Sequence, residues 1–117
     1  MNLMNQTESE IGASFSNLAP TLKTYVLSSL AHQLTVSVRA AYADREPNLE
    51  VIKKMQVLNE LQHTVTGQLT HLMANDRRWY PDAVFIKSLF ETARSGDCEK
   101  ELVWGFGFAL SHLEPPA

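Results

Sequence analysis

The chain has 117 residues, of which 44% are hydrophobic, and a formal net charge of −3. This length fits one domain with one core, and the apolar fraction is ordinary for a soluble protein. A mildly acidic chain without a run of basic residues attracts neither nucleic acid nor an anionic membrane. We therefore expect a single helical domain over residues 1–117, for the reasons that follow.

The cysteine count and the N-terminal segment bear on the cellular compartment. A lone thiol, Cys98, cannot form an internal disulfide, which favours a reducing compartment. No basic residue precedes Lys23, so the N-terminal segment does not resemble an export signal. No stretch approaches the roughly 18 to 20 apolar residues of a membrane-spanning helix. We expect a cytoplasmic protein that is not embedded in a membrane.

The first predicted helix covers about residues 8–17. Thr7 and Glu10 have the spacing of a capping box, in which side chains satisfy free backbone donors. Ile11 and Phe15 follow at helical spacing. Residues 1–18 are expected either to be mobile or to dock as a short helix on the rest of the domain.

The second predicted helix runs from Pro20, which suits a first turn, to about Asp44. Residues 34–39 (LTVSVR) also alternate as a strand would, but no second strand is available for pairing, so a helix is favoured. A break near Ser28–Ser29 stays open.

Three further helices complete the predicted architecture. Asn48 can cap a helix over about 49–75, Pro81 opens a helix that ends at Ser95–Gly96, and Asp97 caps a helix that runs to about Leu113. Residues 114–117 form a tail. The fold class is therefore all-α: an antiparallel bundle of four main helices plus a short N-terminal helix, because short loops join neighbouring helices antiparallel.

The third helix is long for a chain of this size. About 27 residues span roughly 40 Å, whereas a compact domain of this length is about 35 Å across. Its ends are expected to project, which favours burial against a second copy, unless Gly67 kinks the helix.

Glu60 and His63 have the Glu-x-x-His spacing that some helical bundles use to bind metal ions. A di-metal bundle needs two such motifs and two more glutamates, and this chain has one motif. Leu58, Leu61 and Val65 define the core side of the helix, and Glu60 lies about 140° away from it. We therefore predict no metal site and no bound cofactor.

A second stripe on the same helix is polar but uncharged. It consists of Asn59, His63, Thr66 and Thr70, with Gly67 beside it. Such a stripe fits a helix–helix contact or the wall of a polar pocket, since ordinary solvated faces carry more Lys and Glu. The alternative is an ordinary solvated face.

The fifth helix is apolar on two sides. Cys98, Leu102 and Phe106 lie on one side, whereas Trp104 and Phe108 lie nearly opposite. Such a helix is either central in the bundle or presents Trp104 and Phe108 to a partner. Glycine costs about 1 kcal/mol relative to alanine in a helix, which suggests close packing at Gly105 or Gly107. A phosphate-binding role for these glycines is not favoured because no strand precedes them.

The predicted loop NDRRWY (75–80) has the composition of a binding hot spot. Arg77 and Arg78 could bind carboxylate or phosphate groups, and Trp79 could stack, with Tyr80 beside it. The structural alternatives are packing of Trp79 on the next helix and interaction of the arginines with the preceding helix end.

Catalytic machinery is sparse. Cys98 lies near a helix start, where the helix dipole would lower its pKa, but also on an apolar side, where an inert buried cysteine is commoner. The four histidines are scattered along the chain. We predict no catalytic residue and a non-enzymatic protein.

The favoured function is a small adaptor or protein–protein interaction protein that acts as a helical homo-oligomer, its partners being itself and another protein. One alternative is a small-ligand binder with a pocket near Asn59, His63, Trp79 and Tyr80. A second is a nucleic-acid-binding regulator, which the negative charge disfavours.

Overall fold

The computed structural model describes residues 8–43, 48–74 and 81–113, without the side chains of 41–43. These ranges are all-α, with five helices and no strand, which confirms the predicted fold class. The helices are α1 (Glu8–Ser16), α2 (Pro20–Ala43), α3 (Leu49–Met73), α4 (Asp82–Ser95) and α5 (Glu99–Ser111). Their bounds lie within about two residues of the predicted ones at all ends.

Two helices continue through positions where the sequence left an interruption open. α2 is unbroken through Ser28–Ser29, and its segment 34–39 is helical rather than extended. α3 is likewise one helix across Gly67. Both helices bury one side against neighbours, and this packing outweighs the weak local preference of serine and glycine for other conformations.

Residue chemistry accounts for the start of α3. The side chain of Asn48 accepts a hydrogen bond of 2.9 Å from the backbone N–H of Val51, as predicted for a capping asparagine.

α4 begins one residue later than expected. Pro81 is its N-cap, with an extended ψ of 144°, and its carbonyl accepts a hydrogen bond from Phe85 N–H.

The predicted cap of α5 is wrong by one residue. Asp97 has a φ of 54°, a left-handed conformation that an N-cap residue does not adopt. This conformation of Asp97 reverses the chain direction between α4 and α5. Aspartate tolerates a left-handed conformation better than most residues do. Cys98 is therefore the N-cap, and its carbonyl accepts the first helical bond from Leu102 N–H.

The helices of the bundle alternate in direction. Lys54 in α3 and Glu101 in α5 pair at 2.7 Å, near the start of both helices, so α3 and α5 begin at one end. Lys23 in α2 and Asp82 in α4 pair at 2.6 Å, also near both starts. With short connections between consecutive helices, α2 and α4 therefore run opposite to α3 and α5.

All five helices contribute to one buried cluster. Phe15 of α1 lies 6.1 Å from the ring of Phe85 in α4 and 6.4 Å from that of Phe106 in α5. Burial of each such side chain contributes roughly 1.5 to 3 kcal/mol, so α1 is docked rather than loosely attached. The largest fully buried aliphatic side chains are Ile11, Leu27, Leu30, Leu34, Leu58, Leu61, Ile86 and Leu89.

The length of α3 matches the size of the molecule. Its 25 residues span about 37 Å, and the protein measures 42 × 35 × 23 Å. Leu49 and Met73 at its two ends are strongly exposed. That the ends of α3 project and are buried against a second copy stays a prediction. In the described part of the chain, no helix is both long and apolar enough to span a bilayer.

Candidate protein interface

The fifth helix has one buried side and one exposed aromatic side. Leu102, Phe106 and Ala109 are fully buried. Trp104 is 58% exposed and Phe108 37% exposed. Of the two alternatives for this helix, the central position is therefore excluded, because a central helix would hide Trp104.

The exposed aromatic rings form a short stack along α5. The rings of Trp104 and Phe108 are 6.1 Å apart, and those of Phe108 and His112 are 4.2 Å apart. A ring nitrogen of His112 lies 2.8 Å from the carbonyl oxygen of Phe108, which holds the imidazole at the helix end. The three side chains therefore lie against one another along the exposed side of α5.

Close packing of α5 on α2 positions this stack. A Cβ at Gly105 would lie 2.8 Å from Cδ1 of Leu30 and 3.7 Å from Cβ of Gln33. The close approach predicted at one of the two glycines of this helix is confirmed at Gly105. The side of α2 that carries Gln33 is therefore the side next to α5.

The same side of α2 continues the apolar surface. Leu22, Tyr25 and Val36 are spaced at helical intervals along the flank that carries Gln33, and they are 41%, 51% and 41% exposed. They therefore border the α5 stack. We call this surface the aromatic face and define it by five residues: Leu22, Tyr25, Val36, Trp104 and Phe108.

The aromatic face carries almost no charge. Between Leu22 and Val36 the only charged residue is Lys23, which already pairs with Asp82. From Leu102 to Leu113 the chain has no Asp, Glu, Lys or Arg, whereas Lys100, one turn before Trp104, is exposed. Depletion of charged residues with enrichment of aromatic ones is typical of the core of a protein interface.

The polar stripe of α3 lies on the outside of the bundle. Its members Asn59, His63, Thr66 and Thr70 are all exposed, and Thr70 donates a hydrogen bond of 2.8 Å to the carbonyl of Thr66. A Cβ at Gly67 would meet nothing within 4 Å. No other described helix covers this stripe, so a contact there with another molecule stays a prediction.

The Glu-x-x-His motif does not point into the bundle. Glu60 and His63 are exposed, whereas Leu58, Leu61 and Val65 are fully buried. The helical-wheel prediction that Glu60 points away from the core side of α3 is confirmed. In the ranges 8–43, 48–74 and 81–113, no three His, Cys, Asp or Glu side chains cluster as metal ligands would.

The predicted Arg–Trp loop lies outside the described residues. This applies to Arg77, Arg78, Trp79 and Tyr80. The hot-spot hypothesis stays a prediction, and so does the ligand pocket that includes two of these residues.

Cys98 is buried. Its thiol is fully inaccessible and donates a 3.6 Å hydrogen bond to the carbonyl of Ala93. Burial, reinforced by the negative charge of Glu101, raises the pKa of Cys98 from 9.0 to about 11 despite an opposing effect of Lys54. Burial is the largest cause of this shift, and Cys98 lies on the buried side of α5, as one of the two alternatives expected.

A cleft of about 410 Å³, not foreseen from the sequence, lies between the start of α3 and the α4–α5 turn. Its lining includes Lys54 and Arg94. Lys54 pairs with Glu101, and Arg94 lies 3.5 Å from both Glu8 and Glu99. Lys53, the third cation of the lining, is exposed.

The comparisons with known proteins add no assignment. The chain has no significant match among protein-family models, curated proteins or solved structures.

Proposed function

We propose that this protein is a small non-enzymatic interaction or adaptor protein that acts as a helical homo-oligomer through the aromatic face. The observation that carries the proposal is the 58% exposure of Trp104 beside Phe108 on an ordered helix. Large exposed apolar patches on small proteins mark interaction sites. Tryptophan and tyrosine are also the side chains most enriched among residues that dominate binding energy.

The energetics support a covered rather than a solvated face. Trp104 leaves about 145 Å² exposed, given the 150 to 250 Å² that an aromatic side chain can bury. At about 25 cal/mol per Å², its burial alone is worth about 3.6 kcal/mol. Exposure of Trp104 to water is therefore unfavourable, and its burial in a protein contact would be favourable by a similar free energy.

The chemistry of Cys98 supports a role without catalysis. A thiol buried behind α5 with a raised pKa is a poor nucleophile. The proposed location is the cytoplasm, where this free thiol stays reduced.

The test compares the native chain with a variant that lacks the aromatic pair. Light scattering gives the solution mass over a wide concentration range for wild type and for Trp104→Ser/Phe108→Ser. The matched control is Val84→Ser, which removes an exposed apolar residue of α4 instead. We expect wild type and control to exceed the 13.1 kDa of one chain, and the aromatic variant to return to it.

The same three proteins are then immobilised and exposed to a cell lysate. The proposal is wrong if wild type stays at 13.1 kDa at every concentration and retains the same lysate proteins as the aromatic variant.

A further inference from the structure

Gln33 is a buried polar residue on the flank of α2 that lies next to α5. It is 8% exposed, and its helical neighbours Leu30 and Leu34 are fully buried. No group of the described residues forms a hydrogen bond with its amide, whereas the other buried glutamine, Gln68, has a partner. Buried amides are normally hydrogen-bonded within the protein, so the unpaired amide of Gln33 is a departure that needs a physical cause.

The amide of Gln33 opens toward the aromatic face. A Cβ at Gly105, the residue after Trp104, would be 3.7 Å from Cβ of Gln33, so Gly105 covers this position with backbone alone. Neither amide atom of Gln33 is fully sealed from solvent. Val36, one turn further along α2, is 41% exposed, which places the opening on its side of the helix. In a single chain, water is the group that reaches the amide through this opening.

A partner on the aromatic face would expel that water. Contact with Trp104, Phe108 and Val36 closes the opening, and the amide of Gln33 then needs both an acceptor and a donor from the partner. A partner that lacks them leaves a buried polar group unpaired, which weakens binding about 10- to 100-fold. Gln33 therefore discriminates against purely apolar partners on a face that is mainly apolar.

We propose that Gln33 is the specificity-determining residue of the aromatic face, and that its amide forms hydrogen bonds with an amide group of the contacting chain. An amide is the natural complement because it offers both a donor and an acceptor. The inference rests on the proposed function and adds the polar group by which the face selects what it binds. Departures from the rules that stabilise a fold are expected at functional positions.

The test makes the same substitution at two glutamines. Gln33→Met keeps the length of the side chain and removes its hydrogen-bonding groups. Gln62→Met is the matched control, because the amide of Gln62 donates a hydrogen bond to the hydroxyl of Thr35 within the chain. Light scattering over a dilution series measures association. Circular dichroism measures thermal unfolding of samples dilute enough for the wild type to be monomeric, because association itself would raise the melting temperature.

The two variants should differ in both measurements. We expect Gln33→Met to weaken association about 10- to 100-fold without lowering the melting temperature, since no hydrogen bond within the chain is lost. Gln62→Met should lower the melting temperature by about 4 °C and leave association unchanged. Loss of association without loss of stability is a result that a purely structural role of Gln33 does not produce.

The outcomes separate this inference from the proposed function. If Gln33→Met associates as the wild type does, the inference is overturned while the proposed function stands. If Gln33→Met loses as much stability as Gln62→Met, or if Gln62→Met also loses association, the effect acts through the fold and the inference is again overturned. A wild-type chain that stays at 13.1 kDa at every concentration removes the contact itself, and the inference fails together with the proposed self-association.

Discussion

Two glycines of this chain should respond in opposite ways to the same substitution by alanine. Gly96 lies in the α4–α5 turn, and a Cβ there would be 2.4 Å from Cγ2 and 2.5 Å from Cβ of Val57. Val57 is almost fully buried, and its branched side chain has little rotamer freedom. Gly67 lies inside α3, where an added Cβ would meet nothing within 4 Å.

The magnitudes follow from these contacts. At Gly96 the two segments must separate by about 1 Å, and overpacking of this kind costs roughly 1 to 3 kcal/mol. Cβ of Val57 would lie only 2.5 Å from the added Cβ, and it is bonded to the backbone, so no change of rotamer moves it away. We therefore expect the upper end of this range, about 3 kcal/mol of destabilisation. At Gly67 alanine should stabilise the helix by about 1 kcal/mol. The melting temperature should fall by about 12 °C for Gly96→Ala and rise by about 4 °C for Gly67→Ala.

The assay is thermal unfolding followed by circular dichroism, with a double-mutant cycle. Val57→Ala should cost less in the Gly96→Ala background than in wild type, because it removes Cγ1 and Cγ2, two of the three clashing atoms, although Cβ remains. Equal stability of Gly96→Ala and wild type would refute the packing of this turn on α3.

Other predictions concern the core and its ion pair. Phe15→Ala should cost about 3 to 5 kcal/mol in urea unfolding, because the ring is fully buried between α4 and α5. Asp82→Asn should cost about 2 kcal/mol by the same assay, since it leaves the largely buried ammonium of Lys23 without its partner. The Cys98 thiol should resist thiol reagents until the chain unfolds. Because the pKa of Cys98 is raised from 9.0 to about 11 in the folded state, the contribution of the neutral thiol to stability is complete below pH 9. It declines as the pH rises to about 11, by at most about 3 kcal/mol relative to Cys98→Ala.

The helices were predictable because each has a local cause. Asn48 caps α3 with its side chain, and the spacing of Leu58, Leu61 and Val65 puts all three on the buried side. The cap of α5 was misplaced because aspartate is the commoner capping residue. The turn that reverses the chain needs a left-handed residue at position 97, and this requirement outweighs the capping preference.

The candidate interface was predictable only in part. The two-sided pattern of α5 singled out Trp104 and Phe108, but periodicity does not say how many neighbours a helix has. Tyr25 and Val36 were not foreseen, because apolar residues spread widely around α2. Only the contact of Gly105 with Leu30 shows which flank of α2 lies beside α5.

The environment of Trp104 tests the central claim most directly. The chain has two tryptophans, so Trp79→Phe leaves Trp104 as the sole emitter. Its emission and its quenching by acrylamide are recorded over a dilution series, with light scattering on the same samples. The account predicts blue-shifted, protected emission in the oligomer and red-shifted, quenchable emission once dilution produces monomer. Exposed emission from Trp104 at every concentration, or an oligomer in which it stays freely quenched, would contradict it.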